Sequence, residues 1–226
     1  IRRGVLSVRQ ADVLRASAPV AVLGGPATPI VPNADQQAAL QAILSGLDGG
    51  HFTPCLLHGV TGSGKTEVYF LAIAEVLRQG GSVLFLVPEI GLTPQLLGRF
   101  SERFPHEPLA VLHSGVPPSV RYDSWRRICR GEIRVVVGAR SALFAPLRGL
   151  RLIVVDEEHD ESYKQEDRMR YNARDLALVK GRMEQATVVL GSATPAIQTY
   201  HHALSGRYIA LSLPRRVEDR PLPRME

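Results

Sequence analysis

Residues 59–66, GVTGSGKT, set glycines, a lysine and a threonine at the Gly-x4-Gly-Lys-Thr spacing of a phosphate-gripping loop, between an apolar run and a helical pattern. From Gly59 onward, Gly62 and Gly64 let the backbone curl around Ser63 so that successive N–H groups point inward. The positive end of the following helix adds to the pull on an anion. Lys65 would then reach the β- and γ-phosphates of a nucleotide, and the Thr66 hydroxyl would ligate magnesium. The alternative is a glycine-rich turn with an exposed lysine. It loses ground because a strand pattern precedes the loop, a helix follows it and a candidate magnesium carboxylate lies downstream.

That carboxylate comes from residues 152–171, LIVVDEEHDESYKQEDRMRY. Open parallel sheets bind ligands beyond the carboxyl ends of their strands, and Asp156 and Glu157 follow directly on the run LIVV. Asp156 suits the carboxylate that holds magnesium, usually through a water, and Glu157 suits the group that polarises the water attacking a γ-phosphate. A merely solvated acidic loop is the ordinary reading of DEEHDE, but it loses most of its weight beside a phosphate loop.

The elements that must position these groups follow from the hydropathy pattern. The β-type runs are PCLLHG, SVLFLVP, LAVLH, IRVVVG, LRLIVVDE, ATVVLG and YIALSL. They alternate with helical patterns over 67–78, 95–104, 120–130, 173–183 and 196–204. Runs such as VLFLV and LIVV are apolar on successive residues, so both faces need cover. This predicts an α/β fold with a mostly parallel sheet and helices on both faces. Thr93 and Thr194, each before a proline, and Asn172 read as N-caps. Residues 1–31, rich in Pro, Gly and Ala, read as a linker, and residues 32–226 as the domain.

Composition sets outer bounds. The chain has 226 residues, 45% of them hydrophobic, enough for a real core. No apolar run approaches the ~18–20 residues of a membrane span, and residues 1–14 lack the apolar core of a signal peptide, so a cytoplasmic address without a membrane partner is expected. Cys55 and Cys129 lack the spacing of a zinc site or disulfide framework and read as reduced core residues. His51, His58, His113, His201 and His202 form no metal set, and the phenylalanines and Trp125 read as core or helix-packing residues. The net charge is +5, and arginine supplies 24 of the 27 basic residues, which suits phosphate and nucleic-acid contacts.

DEEH at 156–159 is similar to the Asp-Glu-x-His box of superfamily 2 helicases, and GSATP at 191–195 resembles their Ser-Ala-Thr motif. LLHGVTGSGKTEVY, LVPEIGLTPQ, VLHSG, GARSALFAP, DEEHDESYKQ, RYNARDLA and GSATPA together resemble the bacterial replication-restart helicases of the PriA (primosomal protein N′) family, from about Asn33 onward. The resemblance implies a RecA-like P-loop NTPase lobe, the first motor lobe of an ATP- and magnesium-dependent 3′–5′ DNA helicase of replication restart. It assigns Gln36 to adenine reading, and Gly91, Leu92, Thr93, Pro94, Gln95, Arg140 and Ser141 to DNA contact. It assigns His159, Ser192 and Thr194 to coupling of nucleotide state with DNA grip, His159 lying at the nucleotide. Residues 162–171 match the family's aromatic-rich loop, which senses single-stranded DNA. Tyr163 and Tyr171 could stack on bases there while Lys164, Arg168 and Arg170 meet phosphates.

The sequence departs from that family at Met169 and Asn172, where relatives often have an aromatic and a histidine, and at Ala139, commonly threonine. A zinc module, a second lobe and an arginine finger are expected only in the full-length protein, and residues 1–31, beginning with IRRGVLSV, could be the tail of a winged-helix domain. The implied partners are single-stranded and forked DNA, other primosomal proteins and single-stranded DNA-binding protein. By itself the lobe should be nearly inactive as an ATPase. Two readings compete: another superfamily 2 motor acting on RNA or duplex DNA, and a non-catalytic DNA-binding or primosome assembly module with a vestigial ATP site.

Overall fold

In the computed structural model, which describes residues 31–167 and 169–217, each apolar run becomes a strand of one sheet. The elements run α1 (Ala34–Gly49), β1 (Thr53–Gly59), α2 (Lys65–Arg78), β2 (Ser82–Leu86), α3 (Pro94–Arg103), β3 (Leu109–Leu112), α4 (Pro118–Arg130), β4 (Val135–Gly138), β5 (Leu150–Asp156), β6 (Lys164–Gln165), β7 (Tyr171–Asn172), α5 (Ala173–Glu184), β8 (Thr187–Ser192), α6 (Ile197–Leu204) and β9 (Ile209–Leu213). Seven strands form the sheet in the order β3-β4-β2-β5-β8-β1-β9, and every pairing in it is parallel. Residues 1–30, which hold most of the expected linker, and Arg168 lie outside the described residues.

Both faces are covered, as the unbroken apolar runs require. Phe85, Val135, Val137, Leu152 and Val154 face a core shared with α1 and α2, while Leu84, Val136, Ile153, Val155 and Leu190 face a second core against α5. Strands buried on both sides cannot slip register without moving apolar groups, and the alignment Leu57↔Gly191↔Asp156 is thereby fixed at the sheet's carboxyl edge.

The pattern reading missed one helix, departed from the structure at several positions and did not anticipate a small ribbon. Helix α1 begins at a capping box: the Asn33 side chain accepts from Gln36 N–H while Gln36 Oε1 accepts from Asn33 N–H, each at 2.9 Å. Thr93 and Asn172 cap α3 and α5 as expected. Thr194 does not cap α6, which starts at Ile197. A carboxylate described below takes the free N–H there instead. Lys164–Gln165 and Tyr171–Asn172 pair as a two-stranded antiparallel ribbon, β6–β7, where the sequence suggests a plain loop. Cys55 is buried, but Cys129 is only partly so, and Trp125 and Phe144 are 36% and 44% exposed rather than core. Among the described residues no helix is long and apolar enough to cross a membrane.

Candidate functional site

Strands β1, β8 and β5 are neighbours, so the loops that leave their carboxyl ends meet. The phosphate loop follows β1, the DEEH turn follows β5 and the GSATP turn follows β8. Gly62 and Gly64 adopt φ of 79° and 82°, the left-handed backbone that a side chain disfavours. No side chain caps the amino end of α2. Buried Ser63 Oγ has no hydrogen-bond partner in the described structure. A cradle with a buried orphan hydroxyl and an uncapped helix terminus fits a polyphosphate. Thr66 and Asp156 carry oxygens of the hard kind that suit magnesium. No cluster of three or more potential metal-ligating side chains occurs among the described residues.

Lys65 is buried, and its ammonium group donates to Gly59 O at 2.9 Å and lies 3.6 Å from Glu157 Oε1. Glu157 sits at φ 47°, one of two non-glycine residues in left-handed backbone among those described, a conformation that costs on the order of 1 kcal/mol. The turn lifts its carboxylate to the surface, while Asp156 before it stays partly buried. Burial first, and the Glu157 charge second, push the Asp156 carboxyl up to about 6. The Tyr69 hydroxyl, donating to Asp156 Oδ1 at 3.0 Å, opposes that shift.

The third residue of the box was assigned no role from sequence, yet it is the most connected. Glu158 is 1% exposed and accepts from Ala196 N–H at 2.7 Å, from the Thr199 hydroxyl at 2.9 Å and from Arg174 at 3.3 Å. It thus takes the N–H at the start of α6 for which Thr194 had been expected to serve. His159 Nδ1 lies 2.7 Å from Ser192 Oγ, and its Nε2 lies 3.4 Å from Thr194 Oγ1. Ser192 Oγ also accepts from Thr194 N–H at 2.9 Å, which closes the turn after β8 onto the same hydroxyl. The three residues expected to act together do form one hydrogen-bonded set.

Gln36 reaches the loop rather than open solvent: it is 3% exposed, and its amide donates to Ser63 O at 2.9 Å. The segment after β9 crosses the same loop, Val217 N–H donating to Gly62 O at 3.0 Å.

The residues expected at DNA separate into two groups. Thr93, Pro94, Gln95, Ser141, Lys164 and Arg170 are exposed; Gly91, Leu92 and Tyr171 are partly so. Tyr163 is 1% exposed, so it offers no face to a base. Its hydroxyl donates to Asp156 O at 2.6 Å, which pins the start of the loop to the box. Arg140 donates to Ser162 O at 3.2 Å and Lys164 O at 2.5 Å, and so holds the loop. Tyr171 meets exposed Phe144 edge to face with centroids 5.3 Å apart, an aromatic partner that the sequence reading left among core residues. Glu161, Glu166 and Asp167 share a polar recess with Lys164, so the loop is mixed in charge.

A parallel sheet that brings a phosphate loop, a magnesium-type carboxylate and a Ser-Ala-Thr turn to one edge defines the nucleotide-binding lobe of a helicase. The chain belongs to the DEAD/DEAH box helicase family, which matches residues 33–203. Within it, the chain is 49% identical over 189 residues to the replication restart protein PriA of Bacillus subtilis, covering 84% of this chain and 23% of that protein. It is 43% identical to PriA of Synechocystis sp., covering 98% of this chain and 27% of the relative. The chain spans about a quarter of the length of these relatives. Among solved structures it is similar to RecG bound to a three-way DNA junction, with 26% identity and a TM-score of 0.63 over 88% of this chain and 25% of that one. The helicase domain of Pyrococcus furiosus Hef, 19% identical with a TM-score of 0.55 over 81% of this chain and 38% of that one, shares the fold.

Proposed function

We propose that these residues are the ATP-binding first motor lobe of a 3′–5′ DNA helicase that acts in replication restart at stalled forks. The observation that carries this reading is the meeting of Lys65 and Glu157, 3.6 Å apart, beside Asp156 at the edge of the sheet. The names of the relatives, replication restart proteins, supply the biological setting.

Lys65 and Glu157 form an ion pair within the site. With ATP bound, Lys65 would meet the β- and γ-phosphate oxygens and Glu157 would polarise the attacking water. Thr66 and Asp156 would hold magnesium, which when bound neutralises charge developing on the phosphate oxygens. His159, 3.7 Å from Glu157 Oε2 and hydrogen-bonded to Ser192, links the Glu157 carboxylate to the turn after β8. Gln36 would relate the adenine end of the site to the phosphate loop through its bond to Ser63 O.

Single-stranded DNA would lie along the exposed residues 93–95 and Ser141 toward Lys164, Arg170 and Tyr171, with phosphates met by charged and polar groups and a base stacked at the Tyr171–Phe144 pair. Forked DNA, other primosomal proteins and single-stranded DNA-binding protein are the partners of the whole protein on this reading. Because a helicase completes its ATP site with a second lobe, residues 1–226 alone should show negligible ATPase.

Binding of a fluorescent ATP analogue to this chain and to Lys65→Ala, with and without magnesium and single-stranded DNA, tests the reading. Magnesium-dependent binding lost in Lys65→Ala supports it, and binding indifferent to Lys65 would sink it. The RecG-junction likeness favours one second reading, a motor that tracks branched duplex DNA. Comparing single-stranded DNA, duplex, junction and RNA for their effect on nucleotide affinity separates the two. Strand displacement on 3′- and 5′-tailed duplexes by a complete two-lobe protein tests the direction.

A further inference from the structure

Beneath the site, three positions from three separate segments share one small volume. Tyr69 stands one helical turn beyond Lys65 on α2 and is fully buried, its ring edge to face with Phe85 at 5.6 Å. Its hydroxyl runs under the ends of β5 and β8 to Asp156 Oδ1, 3.0 Å away. Gly191, paired with Asp156 across those strands, makes room for it: a Cβ at position 191 would lie 1.6 Å from the Tyr69 oxygen and 2.8 Å from Cζ. The space of one side chain on β8 is therefore filled by a phenol from α2.

We infer that Tyr69 is a positioning residue for the magnesium-holding carboxylate: its hydroxyl occupies Oδ1 of Asp156 and sets Oδ2 as the oxygen offered to the metal and its waters. The inference rests on the nucleotide-site reading above. Packing alone does not explain the residue, because phenylalanine would fill the same apolar space without burying a hydroxyl. A fixed donor to one carboxylate oxygen removes rotation about the Asp156 side chain before the metal arrives, and loss of such a partner typically costs about 10–100-fold in metal affinity.

The test is the magnesium concentration needed for half-maximal binding of the fluorescent ATP analogue, measured on the chain, on Tyr69→Phe and on Gly191→Ala. Tyr69→Phe keeps the ring, should retain the fold by circular dichroism, and is expected to need at least about tenfold more magnesium while reaching the same affinity at saturation. Gly191→Ala, which must displace the hydroxyl, should shift the requirement in the same direction. A purely structural role for Tyr69 would lower the melting temperature and leave the magnesium requirement unchanged, and that result overturns the inference while the nucleotide site stands. Absence of magnesium-dependent binding in the unmodified chain would overturn the nucleotide-site reading and this inference together.

Discussion

Two acids one residue apart have opposite environments. Glu157 is lifted out by a left-handed turn and kept beside Lys65, whereas Asp156 is held partly buried with a carboxyl pushed up from 3.8 to about 6. The sign for stability follows. The unfolded chain releases the Asp156 proton near its ordinary value and the folded chain only near 6, so between these the folded state binds more protons. The nucleotide-free protein should therefore lose stability as pH rises through that window, with the cost absent below it and complete above it. Asp156→Asn removes the charge and is expected to stabilise the nucleotide-free chain at pH 7 by about 2 kcal/mol, the gain fading toward pH 4. Urea unfolding at the two pH values measures this. Glu157→Gln, in a complete two-lobe protein, should bind ATP normally and hydrolyse it at least about a hundredfold more slowly, read by single-turnover hydrolysis beside equilibrium binding. The place of these two acids was legible in the sequence because acids directly after an apolar run must lie at a strand end.

At the scale of elements, the box is a joint between β5, α5, α6 and the loop before α5. Tyr163 anchors the start of that loop to Asp156 O, and Arg174, just past its end, pairs with Glu158. Glu158→Ala would leave Arg174, 9% exposed, without that buried carboxylate and free the N–H of Ala196. A loss of about 3 kcal/mol or more is expected by chemical denaturation, with Glu158→Gln costing less because an amide oxygen can still accept. A second joint ties the helix of the phosphate loop to α3, the helix that Thr93 caps. Glu67 on α2 is 5% exposed, and Arg103 on α3 lies 3.1 Å from its Oε1. Neither joint was readable beforehand. Glu158 looked like one acid in a charged run, Glu67 like an ordinary helix residue, and only folding brings their arginines to them. Tyr163 was misread for the same reason, since nothing in SYKQ tells a tyrosine that stacks on a ligand from one whose ring turns under a strand.

At the scale of the whole molecule, a net charge of +5 carried largely by arginine favours polyanions. Binding of single-stranded DNA should fall steeply with salt, and Lys164→Ala with Arg170→Ala should flatten the slope of log affinity against log salt by roughly one to two units. Fluorescence anisotropy across a salt series checks it. The two cysteines should differ sharply. Burial pushes the Cys55 thiol up to about 12 within β1, while Cys129 is partly exposed on α4. Native alkylation should modify Cys129 and spare Cys55 until the chain unfolds, an outcome read by peptide mass spectrometry.

The sequence by itself determined the parallel α/β sheet, the phosphate loop and the acids opposite it. Each of these is written locally: unbroken apolar runs demand two covered faces, glycines permit a curled backbone, and a strand end places whatever follows it at the ligand edge. It also determined the family, through short motifs spaced along the chain. Only the tertiary structure decided which side chains those motifs turn inward. Gly191 is a gap because Tyr69 fills it from another segment, Tyr163 is a strut because the loop folds its ring beneath Asp156, and Glu158 is a hub because α5 and α6 converge on it. A residue's partner across the chain is set by the packing of elements far apart in sequence, and no local pattern of types or spacing carries that information.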